Sequence, residues 1–276
     1  MRKEAVGRLA SLCGMLCLLP DALIIRLSRL RGDADNESSK LGGFGLLHWR
    51  GLGQLVTVTL VHFLLIHGAS WQSFSGSLRN ALPTPTLFPG GACQMLGQLF
   101  FITSIRNTTV ANTLLCIAMS PAFSALYSRF FFSEVLPLRT WIAVFLAFVC
   151  LLISVLGDLI SNPDESATAV IPVALPFFQG GFFSISRYYG SIRRPTADMN
   201  PSLAMAGLYN AILGLIVSLG IAGGNEKLLL PASRVDSVYV FLQSAVTVPF
   251  GYIFLTTGMT NSYMSYQLIA PSVNRG

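Results

Sequence analysis

LRTWIAVFLAFVCLLISVL, residues 138–156, settles the class of this protein. Arg139 is its one charged residue. The run matches the roughly 20 mostly apolar residues that a helix needs to cross the hydrocarbon core of a bilayer, and it has no polar stripe to turn toward water. Comparable stretches precede it at Ala5–Ile25, Gly51–Ala69, Phe88–Ile105 and Val110–Phe132, and follow it at Thr168–Ile185, Leu203–Ala222 and Val238–Gly258. Together these make eight complete spans, with a partial ninth from near Tyr263 to Gly276. Backbone groups in lipid must be bonded within their own segment, so each span is predicted to be a helix and the fold class to be all-α integral membrane.

Composition agrees. Of 276 residues, 53% are hydrophobic and 11% charged, and the mean hydropathy is +0.62; a water-soluble chain carries roughly 25% charged residues. The connections between spans are short and rich in turn residues: Gly32-Asp33, Asn80, Asn162-Pro163-Asp164, Arg193-Arg194-Pro195 and Gly223-Gly224-Asn225. The longest, about Ser28 to Arg50, is too short and too polar to be a domain. Arg2, Lys3 and Arg8 precede the first apolar run as in a signal peptide, but Pro20, Asp21 and Arg26 follow it without a small-residue cleavage site, so it is read as a retained span. Lysines and arginines divide almost evenly between the two sides of the membrane. The glycosylation-type triplets Asn36-Glu37-Ser38 and Asn107-Thr108-Thr109 both fall opposite the N-terminus, which is therefore assigned to the cytosol. The net charge of +6 is scattered along span edges and builds no nucleic-acid surface. Cys13, Cys17, Cys93, Cys116 and Cys150 all lie in apolar spans without metal-ligand spacing, as small buried hydrophobes do.

The chain repeats itself. Leu19-Pro20, followed by Arg31, recurs as Leu175-Pro176, followed at the same spacing by Arg187. Gly97-Gln98-Leu99-Phe100 recurs as Gly251-Tyr252-Ile253-Phe254, and Ala111…Ser120-Pro121 as Ser262…Ala270-Pro271. The three matches keep their order and nearly the same offset, which predicts a duplicated five-helix unit, 1–160 and an incomplete 166–276. Five is odd, so the second copy enters the membrane from the opposite side. That is the inverted-repeat pattern of secondary transporters, whose solute path lies at the repeat interface.

SPAFSALYSRFFFSEVLPLRTWIAVFLAFVCLLISVLGD, Ser120–Asp158, resembles the EamA-like family of the drug/metabolite transporter superfamily. The resemblance lies in Ser120-Pro121 with small residues after it, an aromatic-rich helix end, Ser133-Glu134, then Pro137 and Arg139-Thr140-Trp141 opening the next helix. Upstream, His48-Trp49-Arg50-Gly51 with Gln54 is similar to the start of that family's second helix. The resemblance implies ten helices in two inverted repeats and movement of small metabolites by proton coupling, exchange or facilitation. After Ala270-Pro271 only Ser272 to Gly276 remain, so the counterpart of Ser133-Glu134 and a tenth helix are missing and this chain is expected to transport poorly.

Polar groups inside spans are costly and mark cavities or partners. Asp21 follows Pro20, where proline frees a backbone carbonyl. It reads either as a proton- or cation-sensitive site or as a carboxylate paired with Arg26 or wetted at the interface. Gln94 and Gln98 share one face of the third span. Asn112 opens the fourth, Gln179 stands beside Gly180-Gly181 in the sixth, Tyr209-Asn210 lie in the seventh, Gln243 and Tyr252 in the eighth, and Gln267 beside Tyr266 in the ninth. Each amide reads as a cavity-lining group or as interhelical glue. His62 and His67, five residues apart on an α-helix, are not expected to share a face. Arg50 is expected to anchor at the interface and Glu134 to cap the turn before the fifth helix.

The function that fits is a secondary transporter of a small organic solute working by alternating access. The alternative is a truncated, non-transporting relative of the same fold. An enzyme would need a nucleophile–base pair, a histidine box or paired intramembrane aspartates; H-E-x-x-H and G-x-S-x-G do not occur, so no catalytic residue, metal or cofactor is assigned. The expected partners are the lipid bilayer and a small-molecule solute, with a homodimer as a candidate assembly.

Overall fold

The computed structural model describes residues 2–34, 43–81, 86–108, 110–133, 136–161, 171–187, 200–222 and 234–269. Every regular element among them is helical: α1 Arg2–Ala34, α2 Gly43–Val61, α3 Trp71–Ala81, α4 Gly91–Asn107, α5 Val110–Ala118, α6 Ser120–Phe132, α7 Leu138–Ser161, α8 Ile171–Arg187, α9 Asn200–Ala222, α10 Arg234–Phe241 and α11 Val248–Ile269. Three π-helical turns prolong or join these: His62–Ile66 after α2, Thr86–Gly90 before α4 and Leu242–Thr247 between α10 and α11.

Among the described residues four stretches are long and apolar enough to cross a membrane: Ala5–Ile25, Asn112–Phe132, Pro201–Gly220 and Asp236–Gly258; Leu138–Ile153 and Pro172–Ile185 are shorter apolar helices. The second and third expected spans fall on α2 and α4. These are more polar because their side chains face the middle of the bundle, where Arg50, Gln54, Gln94 and Gln98 are all buried. The outside is the reverse: Leu9, Leu16, Phe145, Ile153 and Ile216 are exposed. Greasy outside and polar inside is the arrangement a bilayer selects and water rejects.

Helix pairs form where glycine lets backbones meet. α2 crosses α9 at Gly51, Gly207 and Gly214, and α1 lies along α11 at Gly14, Gly251 and Gly258. A Cβ on Gly51 would run into the Ala211 nitrogen and stand 2.5 Å from the Gly207 oxygen, closer than any Cβ tolerates. α8 packs on α4 and α6, with Gly97 against Gln179 and Gly180 against Phe123. Close approach of this kind gives helices in lipid the van der Waals contact that replaces a hydrophobic driving force. α5 and α6 make one stretch interrupted at Met119, because Pro121 brings no N–H to the ladder and Ala122 and Phe123 bond back to the Met119 oxygen.

Several expectations change. The described part of the expected ninth span continues α11 without a break. No proline falls between Leu255 and Ile269, and Thr256 folds its hydroxyl back onto the Tyr252 carbonyl, so nothing ends the helix. The connection around Asn80 holds an eleven-residue helix, α3, with Trp71, Phe74 and Leu78 on one side. His62 and His67 do come together: the turn is π-helical, its hydrogen bonds span five residues, and the His67 amide donates to the His62 carbonyl at 3.2 Å. The rings meet edge to face at 4.6 Å. Glu134, the start of the sixth span at Thr168–Val170 and the end of the ninth lie outside the described residues.

Candidate functional site

The middle of the bundle holds a polar layer, built upward from α2 and α4. On α2, Arg50 and Gln54 are one turn apart on the buried face. On α4, Gln94, Gln98 and Phe101 form the facing row. α1 adds Asp21, α8 adds Gln179, α9 adds Asn210, the π-turn before α11 adds Gln243, and α11 adds Tyr252.

At one level stands an ion pair. The Arg50 Nη2 donates to Asp21 Oδ2 at 2.6 Å, and Gln243 Nε2 donates to the other carboxylate oxygen at 2.5 Å. The guanidinium carbon lies 5.2 Å from the centre of the Phe101 ring, a cation–π contact. Arg50 is 1% exposed and Asp21 2%. Arg50 is therefore not an interfacial anchor, and it pairs with Asp21; the side chain of Arg26, the expected partner, lies outside the described residues. Snorkelling needs a path to water, and Arg50 lies about two turns inside α2, which begins at Gly43, with α1 and α4 closing over it. Its Nε and Nη1 have no partner among the described residues.

The next level is amide chemistry. Gln98 Nε2 donates to Gln54 Oε1 at 2.6 Å, and Asn210 Nδ2 donates to Gln98 Oε1 at 2.8 Å. Gln54 Nε2 closes the chain on the Leu203 carbonyl at 2.8 Å. Asn210 Oδ1 is buried and unpaired among the described residues. On the third level Gln179 Nε2 donates to the Tyr252 hydroxyl at 3.2 Å. Gln94, fully buried, lies beside that hydroxyl, but neither of its amide atoms closes a well-formed hydrogen bond.

The sequence reading is thus brought together for Asp21 with Gln243, for Gln98 with Asn210, and for Gln179, Tyr252 and Gln94. Asn112 is buried on α5. Tyr209 is half-buried on α9 beside Gly91. The side chain of Gln267 lies outside the described residues. Arg50 and Gln54 were not among the expected site residues. The available signal was their spacing, the same one-turn interval that singles out Gln94 and Gln98.

A bundle with apolar outer surfaces and a buried, charged and amide-lined centre is that of a multi-pass integral membrane protein. The model of the EamA-like transporter family matches residues 43–156, the segment that runs from the start of α2 through most of α7. That segment carries Arg50, Gln54, Gln94 and Gln98, together with the Ser120–Trp141 motif. No curated protein and no solved structure matches the chain. The matched family is one of membrane transporters or permeases rather than enzymes.

Proposed function

We propose that the chain is a secondary transporter that moves a small organic metabolite by alternating access, with the polar layer as its solute site. The carrying observation is the set of buried groups that converge on that layer without a well-formed hydrogen bond among the described residues: Arg50 Nε and Nη1, the Gln94 amide beside the Tyr252 hydroxyl, and Asn210 Oδ1. A buried polar group without a partner costs roughly 1–3 kcal/mol. A transporter recovers that cost when its solute supplies the missing bonds. A purely structural layer has no such gain.

The reading includes inverted repeats of 1–160 and 166–276, for which spacing and contacts speak. The separation from Gly51 to Gly207 equals that from Leu19 to Leu175, and so does the separation from Gln54 to Asn210. Gly51 and Gly207 meet backbone to backbone, and Gln54 and Asn210 both bond to Gln98. Equivalent residues facing one another are what a two-fold axis through the α2–α9 crossing would produce. Likewise α1 on α11 corresponds to α8 on α4 when the halves are exchanged. A site on such an axis sits where rocking of one half against the other exposes it to alternate sides.

The test is release of solutes from proteoliposomes loaded with a soluble metabolite extract, followed by mass spectrometry. Liposomes carrying the chain are expected to release at least one solute ten times faster than those carrying the Gln98→Leu, Asn210→Leu double variant. Equal release from both, or none above empty liposomes, favours the non-transporting reading.

A further inference from the structure

The π-turn at the end of α2 places two imidazoles together outside the polar layer. Nε2 of His62 and Nε2 of His67 are 3.2 Å apart, hydrogen-bonded when one of the two carries the proton. His67 Nδ1 is 2.7 Å from the Ser73 hydroxyl on α3, which fixes the ring and leaves Nε2 as its inward nitrogen. His62 is buried, and Phe63 and Phe74 wall the pair, Phe74 standing 5.4 Å from the His62 ring and 6.0 Å from the His67 ring.

We propose that His62 and His67 form a binding site for a divalent transition-metal ion. Two imidazole nitrogens that each bind one ion at about 2.0–2.1 Å stand roughly 2.9–3.4 Å apart when the angle at the ion is between square and tetrahedral. The 3.2 Å separation falls inside that window. Ligating histidines are oriented by a hydrogen bond on their other nitrogen, the part Ser73 plays for His67. Among the described residues no cluster of three or more His, Cys, Asp and Glu side chains occurs, so the two imidazoles are the ligands those residues supply. Two imidazoles with open positions suit Cu2+, Ni2+ and Zn2+, and affinity for a given nitrogen site peaks at Cu2+. Bound there, the ion would clip one π-turn shut and, through Ser73, hold α3 against the end of α2.

The protein has three histidines, so the assignment is decidable. His48 is the control, its Nδ1 being 2.7 Å from the Ala211 carbonyl on α9. The full chain, purified without a histidine tag, is loaded with one equivalent of Cu2+ and its electron paramagnetic resonance spectrum recorded. Coupling to two imidazole nitrogens is expected in the wild type and in His48→Gln. In His67→Gln, a half-exposed and readily tolerated change, coupling to at most one nitrogen and at least tenfold weaker Cu2+ binding by competition titration are expected. Ser73→Ala is expected to weaken binding while both nitrogens remain. A wild-type spectrum without two coupled nitrogens, or Cu2+ binding unchanged in His67→Gln, would overturn the proposal.

Discussion

Asp21→Asn and Arg50→Gln are each expected to destabilise the folded protein by about 3–5 kcal/mol, the cost of leaving one member of a buried ion pair without its partner. The geometry makes the effect large. The pair closes at 2.6 Å, and both residues are almost completely buried. In Asp21→Asn the Gln243 amide keeps an oxygen to donate to, but the Arg50 charge has nothing to neutralise it. In Arg50→Gln the Asp21 carboxylate keeps only the Gln243 hydrogen bond. The double variant holds no uncompensated charge and should lose less than the sum of the two singles by at least about 2 kcal/mol, within the coupling range of contacting residues. Unfolding of the four proteins in mixed detergent micelles measures the cycle. Additive losses would show that Asp21 and Arg50 do not act as a pair. Release of solute should stay lost in the double variant even as stability returns, because the Nε and Nη1 edge of Arg50, without a partner among the described residues, is gone.

The second large effect is at the α2–α9 crossing. Gly51→Ala is expected to separate the two helices. The new methyl would run into the Ala211 nitrogen and meet the Gly207 oxygen at 2.5 Å, both backbone atoms that cannot rotate aside. Overpacking costs about 1–3 kcal/mol where side chains can adjust, and here the adjustment falls on a whole helix, so the loss should reach the top of that range. The Gln54–Gln98–Asn210 chain spans the same crossing and would open with it. Gly220→Ala, in the same α9 but with open space around it, provides the reference. It should change stability by no more than about 1 kcal/mol, the helix-propensity difference between glycine and alanine. Equal melting temperatures for Gly51→Ala and Gly220→Ala would show that α2 and α9 do not meet at Gly51.

Much of this was legible in the sequence because a bilayer simplifies the rules. Apolar runs of span length declare helices, and Ala5–Ile25, Val110–Phe132 and Leu138–Leu156 all fall inside helical stretches. Polar residues within the runs declare the interior, and Asp21, Gln94, Gln98, Gln179, Asn210, Gln243 and Tyr252 are all buried. Arg50 was misplaced for a local reason. The span was taken to start at Gly51, which left Arg50 at an edge, whereas α2 begins at Gly43 and carries it inward. The histidine pair was hidden because a single π-turn widens the helix and swings residues five apart toward one side, and no residue in HFLLI announces that shift. The Arg50 partner was equally hidden: nothing local to Asp21 points to an arginine on another helix. The equivalence of Gly51 with Gly207 was present in the spacing but became visible only when the two backbones were seen to touch.

The most direct test of a solute site in the polar layer is water access to Gln98, which is 1% exposed in the packed state. With Cys13, Cys17, Cys93, Cys116 and Cys150 replaced by serine, Gln98→Cys is reconstituted into liposomes and treated with a membrane-impermeant thiol reagent from either side. Alternating access predicts labelling from both sides, since each opening of the bundle brings the residue to water in turn. Absence of labelling from both sides would show that Gln98, Gln54 and Asn210 only hold the helices together, and would contradict the assignment of the layer as a transport site.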